Sequence, residues 1–239
     1  MMARTSSAVN GSPQIKQVYV YKLDHDTGMN PNPFGDYCTL AYCKHDMREI
    51  IVKDVAATKS LHPGLSVGDI GIWVIGIAAK RLDFKGSNRY GRIVYAMQVT
   101  ELLTFDEYWV DPRFVSKRPN RTSDEEVKIQ NGHKGNYRFF KLNDNRRICG
   151  DNIDGRYDEG SRYVLVSDRF EYYGTDSENK IRLIDFLGLS EKDTMRKYRV
   201  YPSPSGKPIP EAVIEYIEHA FGARKCMARP TFSSPDFEV

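Results

Sequence analysis

The chain has 239 residues, of which 40% are apolar and 28% are charged. A polypeptide of this length can bury a substantial core as one large domain or two small ones. Its longest apolar run, residues 70–79, is about half of the roughly 18 residues that a membrane-spanning helix needs. Composition therefore argues against a helical membrane protein, and no membrane partner is expected.

Both chain ends are predicted to lie outside the folded domain. Residues 1–15 lack the apolar core of an export signal and are expected to be a disordered leader. Residues 223–239 are expected to be an unstructured tail, which leaves a single domain over residues 16–222. Without export, the four cysteines are expected to be reduced thiols, and this predicts a cytoplasmic protein.

Basic residues are concentrated in one segment, although the net charge is only +3. Residues 113–147 contain ten lysines and arginines but only four acidic residues. Such a local excess is typical of a phosphate-binding surface, and interleaved aromatic residues favour nucleic acid or nucleotide. A solvated basic loop would have the same composition. The first interpretation assigns phosphate binding to Arg118, Arg121, Lys134 and Arg138.

The first half of the chain is predicted to alternate strands and one helix. A strand over residues 16–23 is followed by a long polar loop and a short apolar element at 39–43. Helical spacing over residues 44–59 ends at Pro63 and Gly64. After a turn at 67–69, residues 70–78 are apolar on both faces, as expected of a central strand.

The second half is predicted to begin with one strand over residues 92–103 that has Ile93, Tyr95, Met97 and Val99 on one face. Thr104 is a plausible N-cap for a helix over 105–110, with Glu107 at the capping-box position. A basic loop or lobe follows at about 112–147. Further strands are predicted at 137–142 and 162–167, and a helix at 208–221. The fold class is therefore α+β with a mixed, mostly antiparallel sheet.

The polar loop between the first strand and the first helix is the main candidate for a site, because polar loops fixed by apolar segments often bind or catalyse. Its carboxylates and imidazole could act as a general base or hold a metal. Asp and Asn are also common in loops because they cap backbone N–H groups, and both interpretations stay open. The loop candidates are Asp36 as a base, and Asp24, Asn32, Cys38 and Thr39 for nucleotide binding, with His25 and Asp26 considered beside them.

The cysteines and the lysine near the first helix suggest three further hypotheses. Cys38, Cys43 and His45 have zinc-binding atoms, but their spacing is unusual and no fourth ligand is evident, so no metal is assigned. Cys43 would need a lowered pKa to act as a nucleophile, and a buried structural cysteine is the simpler expectation. Lys44 opens the helix, where a cation opposes the macrodipole. Binding of phosphate or carboxylate would account for that position, so Lys44 is assigned to stabilise negative charge.

Three later residues are also candidates. Asp151 and Asn152 follow Gly150 and could read the edge of a base, with Asp151 as an alternative general base, or they could form a simple turn. Arg169 could contact a nucleotide or form an internal ion pair with Asp168. No P-loop, Rossmann glycine pattern, G-x-S-x-G or H-E-x-x-H motif is present, so no cofactor is assigned.

Several ordered blocks together resemble the second of the numbered nucleotide modification associated domain families of bacteria and phages. The matching blocks are residues 26–34 (DTGMNPNPF), 37–44 (YCTLAYCK), 67–69 with 73–76, 94–97 running into 103–109, and 150–153 with 167–170. This resemblance spans about residues 18–175 and implies a role in hypermodification of DNA bases. A weaker resemblance to PUA-like and EVE-type barrels, which bind modified bases, rests on a Gly-Asp turn that opens an apolar strand.

The resemblance leaves two functional hypotheses and two sheet architectures. The chain either modifies a nucleotide or DNA base in a polar pocket, or is a non-catalytic PUA-like reader of modified bases. Its sheet is either open or a partly closed PUA-like barrel with flanking helices. The expected partner is a nucleotide or nucleic acid, with DNA favoured over RNA, and the oligomeric state is not predicted.

Overall fold

The computed structural model describes residues 15–24, 26, 31–41, 44–82, 88–117, 142–143, 146–147, 163–187 and 198–220. The predicted tail and nearly all of the predicted leader lie outside these ranges. So do most of the basic segment and the predicted turn at residues 150–152. The structural statements below concern the described residues.

In the described residues, three helices interrupt a series of ten strands. They are β1 (Gln17–Leu23), β2 (Cys38–Leu40), α1 (His45–Leu61), β3 (Ile72–Ala78), β4 (Ile93–Gln98), β5 (Glu101–Thr104), α2 (Phe105–Val110), β6 (Leu142–Asn143), β7 (Arg146–Arg147), β8 (Tyr163–Ser167), β9 (Arg169–Tyr172), β10 (Arg199–Tyr201) and α3 (Glu211–Ala220). None of the described helices is long and apolar enough to cross a lipid bilayer.

A five-stranded mixed sheet with the order β10-β1-β3-β4-β9 forms the centre of the molecule. Strands β1 and β3 pair in parallel because α1 carries the chain back across the sheet between them, and the other pairs are antiparallel. A three-stranded antiparallel sheet has the order β2-β8-β5, and β6 pairs with β7. The α+β prediction is confirmed, and the described strands form separate sheets with no closed barrel.

Each face of the central sheet is covered by a different layer. On one face, α1 buries Met47, Ile51 and Val55, which lie four residues apart on one side of the helix, together with Cys38 and Leu40 of β2. On the other face, α3 buries Val213 and Ile217, and the 3-10 turn Leu183–Asp185 buries its first two residues. The central strand β3 is buried over its whole length, as its sequence predicts.

The prediction of one strand over residues 92–103 is wrong, because the chain leaves the five-stranded sheet and enters the three-stranded sheet within this segment. The N–H of Val99 donates to Ile72 O in the five-stranded sheet at 2.8 Å, whereas the N–H of Thr100 donates to Val166 O in the three-stranded sheet at 2.9 Å. The register of β3 and β4 also shifts between Gly76 and Ile77. Ile93 therefore packs on the face opposite to that of Tyr95, and not on the same face as predicted.

The predicted cap of α2 is confirmed. Thr104 Oγ1 accepts a hydrogen bond from Glu107 N at 3.2 Å, and the carboxylate of Glu107 accepts from Thr104 N at 2.7 Å. This reciprocal pair satisfies two backbone donors at the helix start. It fixes the orientation of a helix whose Tyr108 hydroxyl lies 3.0 Å from the hydroxyl of Thr39 in β2.

Candidate functional site

Three tyrosines and a glycine form one row across the central sheet. Tyr21 in β1 is the register partner of Gly76 in β3, Gly76 is the partner of Tyr95 in β4, and Tyr95 is the partner of Tyr172 in β9. Directly paired residues project from the same face of a sheet, so the three phenol groups lie on the side that faces α1 and β2. We refer to Tyr21, Tyr95 and Tyr172 as the tyrosine row.

Gly76 makes this row possible. A Cβ atom at this position would lie 2.2 Å from Cε1 of Tyr95 and 2.6 Å from Cδ1 of Leu23. The ring of Tyr95 therefore occupies the space above the glycine. It meets the Tyr21 ring edge-on at 6.1 Å between centroids, and the two hydroxyl oxygens are 2.8 Å apart.

A carboxylate from the polar loop lies at the Tyr172 end of the tyrosine row. The hydroxyl of Tyr172 donates to Oδ1 of Asp26, and the guanidinium of Arg89 lies 3.7 Å from Oδ2 of the same carboxylate. Arg89 in turn donates to Ser177 Oγ at 2.6 Å and to Gly174 O at 2.5 Å. Burial, and then the nearby charge of Asp26, raise the pKa of Tyr172 well above its usual value, so its phenol keeps its proton.

Cys38 lies in the same apolar cluster as the tyrosine row and interacts electrostatically with Tyr172 and with Lys117. Burial raises the pKa of its thiol to about 12, although the positive charge of Lys117 acts in the opposite direction. Only the thiolate is a good nucleophile. Cys38 is therefore an uncharged thiol in this structure, which agrees with a buried structural role.

Lys44 connects the tyrosine row to the start of α1. It is the N-cap residue, and its backbone has φ 58° and ψ 49°, a left-handed conformation that lysine rarely adopts. Its ammonium lies 5.2 Å from the centroid of the Tyr21 ring, and its side chain is half-buried. Strained backbone of this kind clusters at functional sites, so this geometry makes Lys44 a stronger candidate than its sequence position does.

Lys117 lies beneath the polar loop, on the 3-10 turn Pro112–Lys117. Its side chain is buried, and its amine contacts the carbonyl oxygens of Asn32 and Tyr37 and the hydroxyl of Thr39. Arg113, on the same turn, binds the carboxylates of Glu101 and Asp111. The two basic residues whose side chains are described in the segment therefore make internal contacts, and phosphate binding by this segment would depend on its other residues.

The predicted loop residues separate into two groups. Asn32, Cys38, Thr39 and Lys44 come together around the tyrosine row and Lys117, whereas Asp24 and Asp36 are exposed. Asn32 exchanges both backbone hydrogen bonds with Thr39, at 2.8 and 2.9 Å, and its side-chain Nδ2 is buried without a hydrogen-bond partner.

Other predicted positions fall elsewhere. Arg169 is exposed, and its guanidinium lies 3.4 Å from the side-chain oxygen of Gln98. Among the described residues, no group of three histidine, cysteine or acidic side chains could hold a metal ion. The remaining candidates lie outside the described residues: His25, Cys43, Arg118, Arg121, Lys134, Arg138, Asp151 and Asn152.

Sequence reasoning did not find the tyrosine row, Arg89 or the internal position of Lys117. The high tyrosine content was visible, but the row depends on strand pairings between residues far apart in the chain. Asp26 was considered as one of several loop carboxylates, and no local pattern distinguishes it from Asp24. The pairing of Asp26 with Tyr172 supplies that distinction.

Residues 15–201 match the family model described as nucleotide modification associated domain 2. No curated protein and no solved structure matches the chain. The match includes β1 to β10 and every residue of the tyrosine row, and it leaves α3 outside. Because the matched region is well over half of the chain, this protein belongs to the nucleotide modification associated domain 2 family.

Proposed function

We propose that this protein takes part in modifying a nucleotide or a DNA base, and that the base binds beside the tyrosine row. One observation carries the proposal: Asp26, Cys38 and Lys44 of the polar loop meet three buried tyrosines that come from three separate strands. Such a concentration of polar groups in the core of a family member associated with nucleotide modification is unexpected for packing alone.

The exposed and buried groups would have different tasks. Lys44 is half-buried and Asp36 is exposed, so a ligand can approach both from solvent. In this proposal Lys44 stabilises negative charge on the substrate, and Asp36 or Asp151 accepts a proton. The buried Tyr172 keeps its proton and donates a hydrogen bond to Asp26 at the inner wall of the site. Phosphates would be bound by Arg118, Arg121, Lys134 and Arg138, and bases by Asn152 and Arg169.

A non-catalytic reader of modified bases is the second candidate. It is favoured by the raised pKa values of Cys38 and Tyr172, because neither group provides a nucleophile or a base near neutral pH. A reader needs only hydrogen-bonding and stacking groups that keep one protonation state.

The test is mass spectrometry of nucleosides from the DNA of cells that naturally carry this gene, with and without the protein. A modifying role predicts a nucleoside that disappears when the gene is removed and is not restored by Lys44→Gln. Lys59→Gln, at the exposed far end of the same helix, is the matched control and should restore the nucleoside.

Unchanged nucleosides would count against modification. Salt-dependent binding of oligonucleotides that survives Asp36→Asn and Asp151→Asn would then support a reader. If the nucleosides are unchanged and no oligonucleotide binds, the modifying role and the reader role are both contradicted.

A further inference from the structure

Three basic residues lie together at the end of the central sheet where the polar loop begins. Lys22 is the last residue but one of β1, and its ammonium lies 5.5 Å from the centroid of the Tyr90 ring. The guanidinium of Arg182 lies 5.6 Å from the same centroid. Arg92, which follows Tyr90 by two residues, is the backbone bridge partner of Arg182. We refer to Lys22, Arg92 and Arg182 as the cation cluster.

The turn that carries Tyr90 fixes the position of its ring. Asn88 and Gly91, which lie close to Tyr90 on either side, have φ angles of 49° and 75°, in the left-handed region. A Cβ atom at Gly91 would lie 2.2 Å from Cγ2 of Ile184, so glycine lets this turn pack closely against the 3-10 turn Leu183–Asp185. The buried Tyr90 ring is therefore a firm support for the cations beside it.

The two arginines of the cation cluster carry like charges in opposed positions. Bridge partners project to the same side of the backbone, and like charges placed directly opposite each other are destabilising. Arg92 donates from Nε to Asn88 O at 2.7 Å and from Nη1 to Lys180 O at 2.5 Å, and these carbonyl groups are uncharged. The carboxylate of Asp185 is 3.6 Å from Arg182 Nε, but both side chains are about half exposed, so this ion pair contributes little.

Arg182 also has a buried donor that needs an acceptor. Within the described part of the chain its Nε makes no hydrogen bond, although 41% of the side chain is exposed. A buried N–H group without an acceptor is costly, so a ligand that supplies one gains affinity. Phosphate oxygens are well suited, because arginine commonly binds them through two parallel N–H groups.

The position of the cation cluster connects it to the candidate site. The parallel strands β1 and β3 both end here, and ligands often bind outside the carboxyl ends of parallel strands. Arg89, next to Tyr90 in the chain, lies 3.7 Å from Oδ2 of Asp26, and the other oxygen of that carboxylate accepts from Tyr172. A series of direct contacts therefore leads from the cluster to the tyrosine row.

We propose that the cation cluster binds a phosphate group, either of a nucleic acid strand or of a free nucleotide. Arg92 and Arg182 contact the phosphate oxygens, and the bound anion offsets the repulsion between the two guanidinium groups. Lys22 is only 7% exposed, so its charge is weakly screened by solvent and attracts the phosphate from beneath. This site is additional to the basic segment, and the assignment of the phosphate to a nucleotide rests on the proposed function.

Binding of fluorescein-labelled single-stranded DNA, followed by fluorescence anisotropy at several salt concentrations, tests this site. Arg182→Gln should weaken binding roughly five- to ten-fold at low salt and reduce the slope of log Kd against log salt by about 0.7. Lys53→Gln removes the same charge from an exposed position of α1 and should change Kd by less than about two-fold. Equal effects of the two variants would overturn the proposal.

Two further variants change the charge at this place without removing the arginine's bulk or its neighbours. Arg182→Lys keeps the charge and should keep most of the salt dependence, and a slope as low as that of Arg182→Gln would contradict binding through charge. Asp185→Asn removes the carboxylate beside Arg182 and should strengthen binding roughly two- to three-fold. Because an unfolded variant would not bind more tightly, this result decides even if Arg182→Gln fails to fold. Unchanged or weaker binding by Asp185→Asn would count against the site.

Three probes distinguish the source of the phosphate: the labelled DNA, thymidine triphosphate and inorganic phosphate, the last two followed by phosphorus NMR line broadening. Binding of DNA or of the triphosphate that depends on Arg182 identifies a nucleic acid strand or a free nucleotide, respectively. Binding of inorganic phosphate alone that depends on Arg182 would support the site and count against the proposed function. DNA or nucleotide that binds the parent and Arg182→Gln equally would overturn this inference and leave the proposed function intact. No binding of any probe would overturn the site.

Discussion

The hydroxyl of Tyr172 donates a hydrogen bond to the carboxylate of Asp26, which lies 146 residues earlier in the chain. Both side chains are buried, and the bond joins the polar loop to β9, an edge strand of the central sheet. It is one of the contacts by which the loop that carries most of the candidate residues is fixed to the tyrosine row.

Removal of the Tyr172 hydroxyl should destabilise the protein more than the small volume of this group suggests. Tyr172→Phe keeps the ring but leaves the buried carboxylate of Asp26 without one donor, and we expect a loss of about 1–3 kcal/mol in the free energy of unfolding. Urea denaturation measures the loss. Tyr201→Phe is the matched control, because the contact of the Tyr201 hydroxyl with Leu187 O is long, at 3.5 Å. Equal losses for the two variants would argue against a special role for the Tyr172–Asp26 pair.

Gly76 should not tolerate even one methyl group. The Cβ of Gly76→Ala would overlap the Tyr95 ring and a Leu23 methyl, so we expect destabilisation of about 1–3 kcal/mol and displacement of the Tyr95 ring. Gly64→Ala is the control, since nothing lies within 4 Å of the added atom there. Thermal unfolding measures both. A stable Gly76→Ala variant would show that the row repacks easily.

Lys44→Gly separates the function of this residue from its effect on folding. Glycine adopts the left-handed conformation without strain, so stability should stay the same or rise by up to about 1 kcal/mol. The same change at Lys59, in the last turn of α1, should lower stability by about 0.5–1 kcal/mol. If Lys44 acts on substrate, Lys44→Gly loses the modified nucleoside, or DNA binding by a reader, although it folds well. Full retention of both by a stable Lys44→Gly variant would remove Lys44 from the site.

The buried carboxyl group of Glu171 should make the stability of the protein depend on pH. Tyr173 donates to its carboxyl group, and Tyr216 of α3, whose hydroxyl is 3.0 Å from that of Tyr173, also bonds to it. Burial raises the pKa of Glu171 to about 7, while Lys180 and Tyr216 act in the opposite direction. The folded protein therefore holds a proton that the unfolded chain releases near its ordinary pKa of 4.5.

The stabilising contribution of this proton is complete below that ordinary value and is lost as the pH rises through about 7. We expect the melting temperature to fall between about pH 5 and pH 7.5, and Glu171→Gln to flatten that fall. Glu215→Gln, at an exposed position of α3, should leave the slope unchanged. A slope that is the same in Glu171→Gln and the parent would assign the effect to other groups.

Local patterns predicted most of the individual elements. The strand β1, the apolar run of β3, the capping box of Thr104 and Glu107, and the apolar face of α3 depend on neighbouring residues, and each is present. The break between β4 and β5 was missed. The sequence around Val99 and Thr100 shows no interruption, yet the backbone N–H of Val99 bonds to one sheet and that of Thr100 bonds to the other. The identity of these distant backbone partners cannot be read from neighbouring residues.

The candidate site likewise combines features that local sequence predicts with features that depend on contacts between distant residues. The sequence by itself identified the polar loop, the unusual place of Lys44 at a helix start and the basic segment, because composition and spacing are properties of consecutive residues. Only the tertiary structure decided that Asp26 rather than Asp24 is buried, that Tyr21, Tyr95 and Tyr172 share one face, and that Lys117 points inward. Those facts follow from strand register and burial, which are set by contacts between residues tens to more than a hundred positions apart.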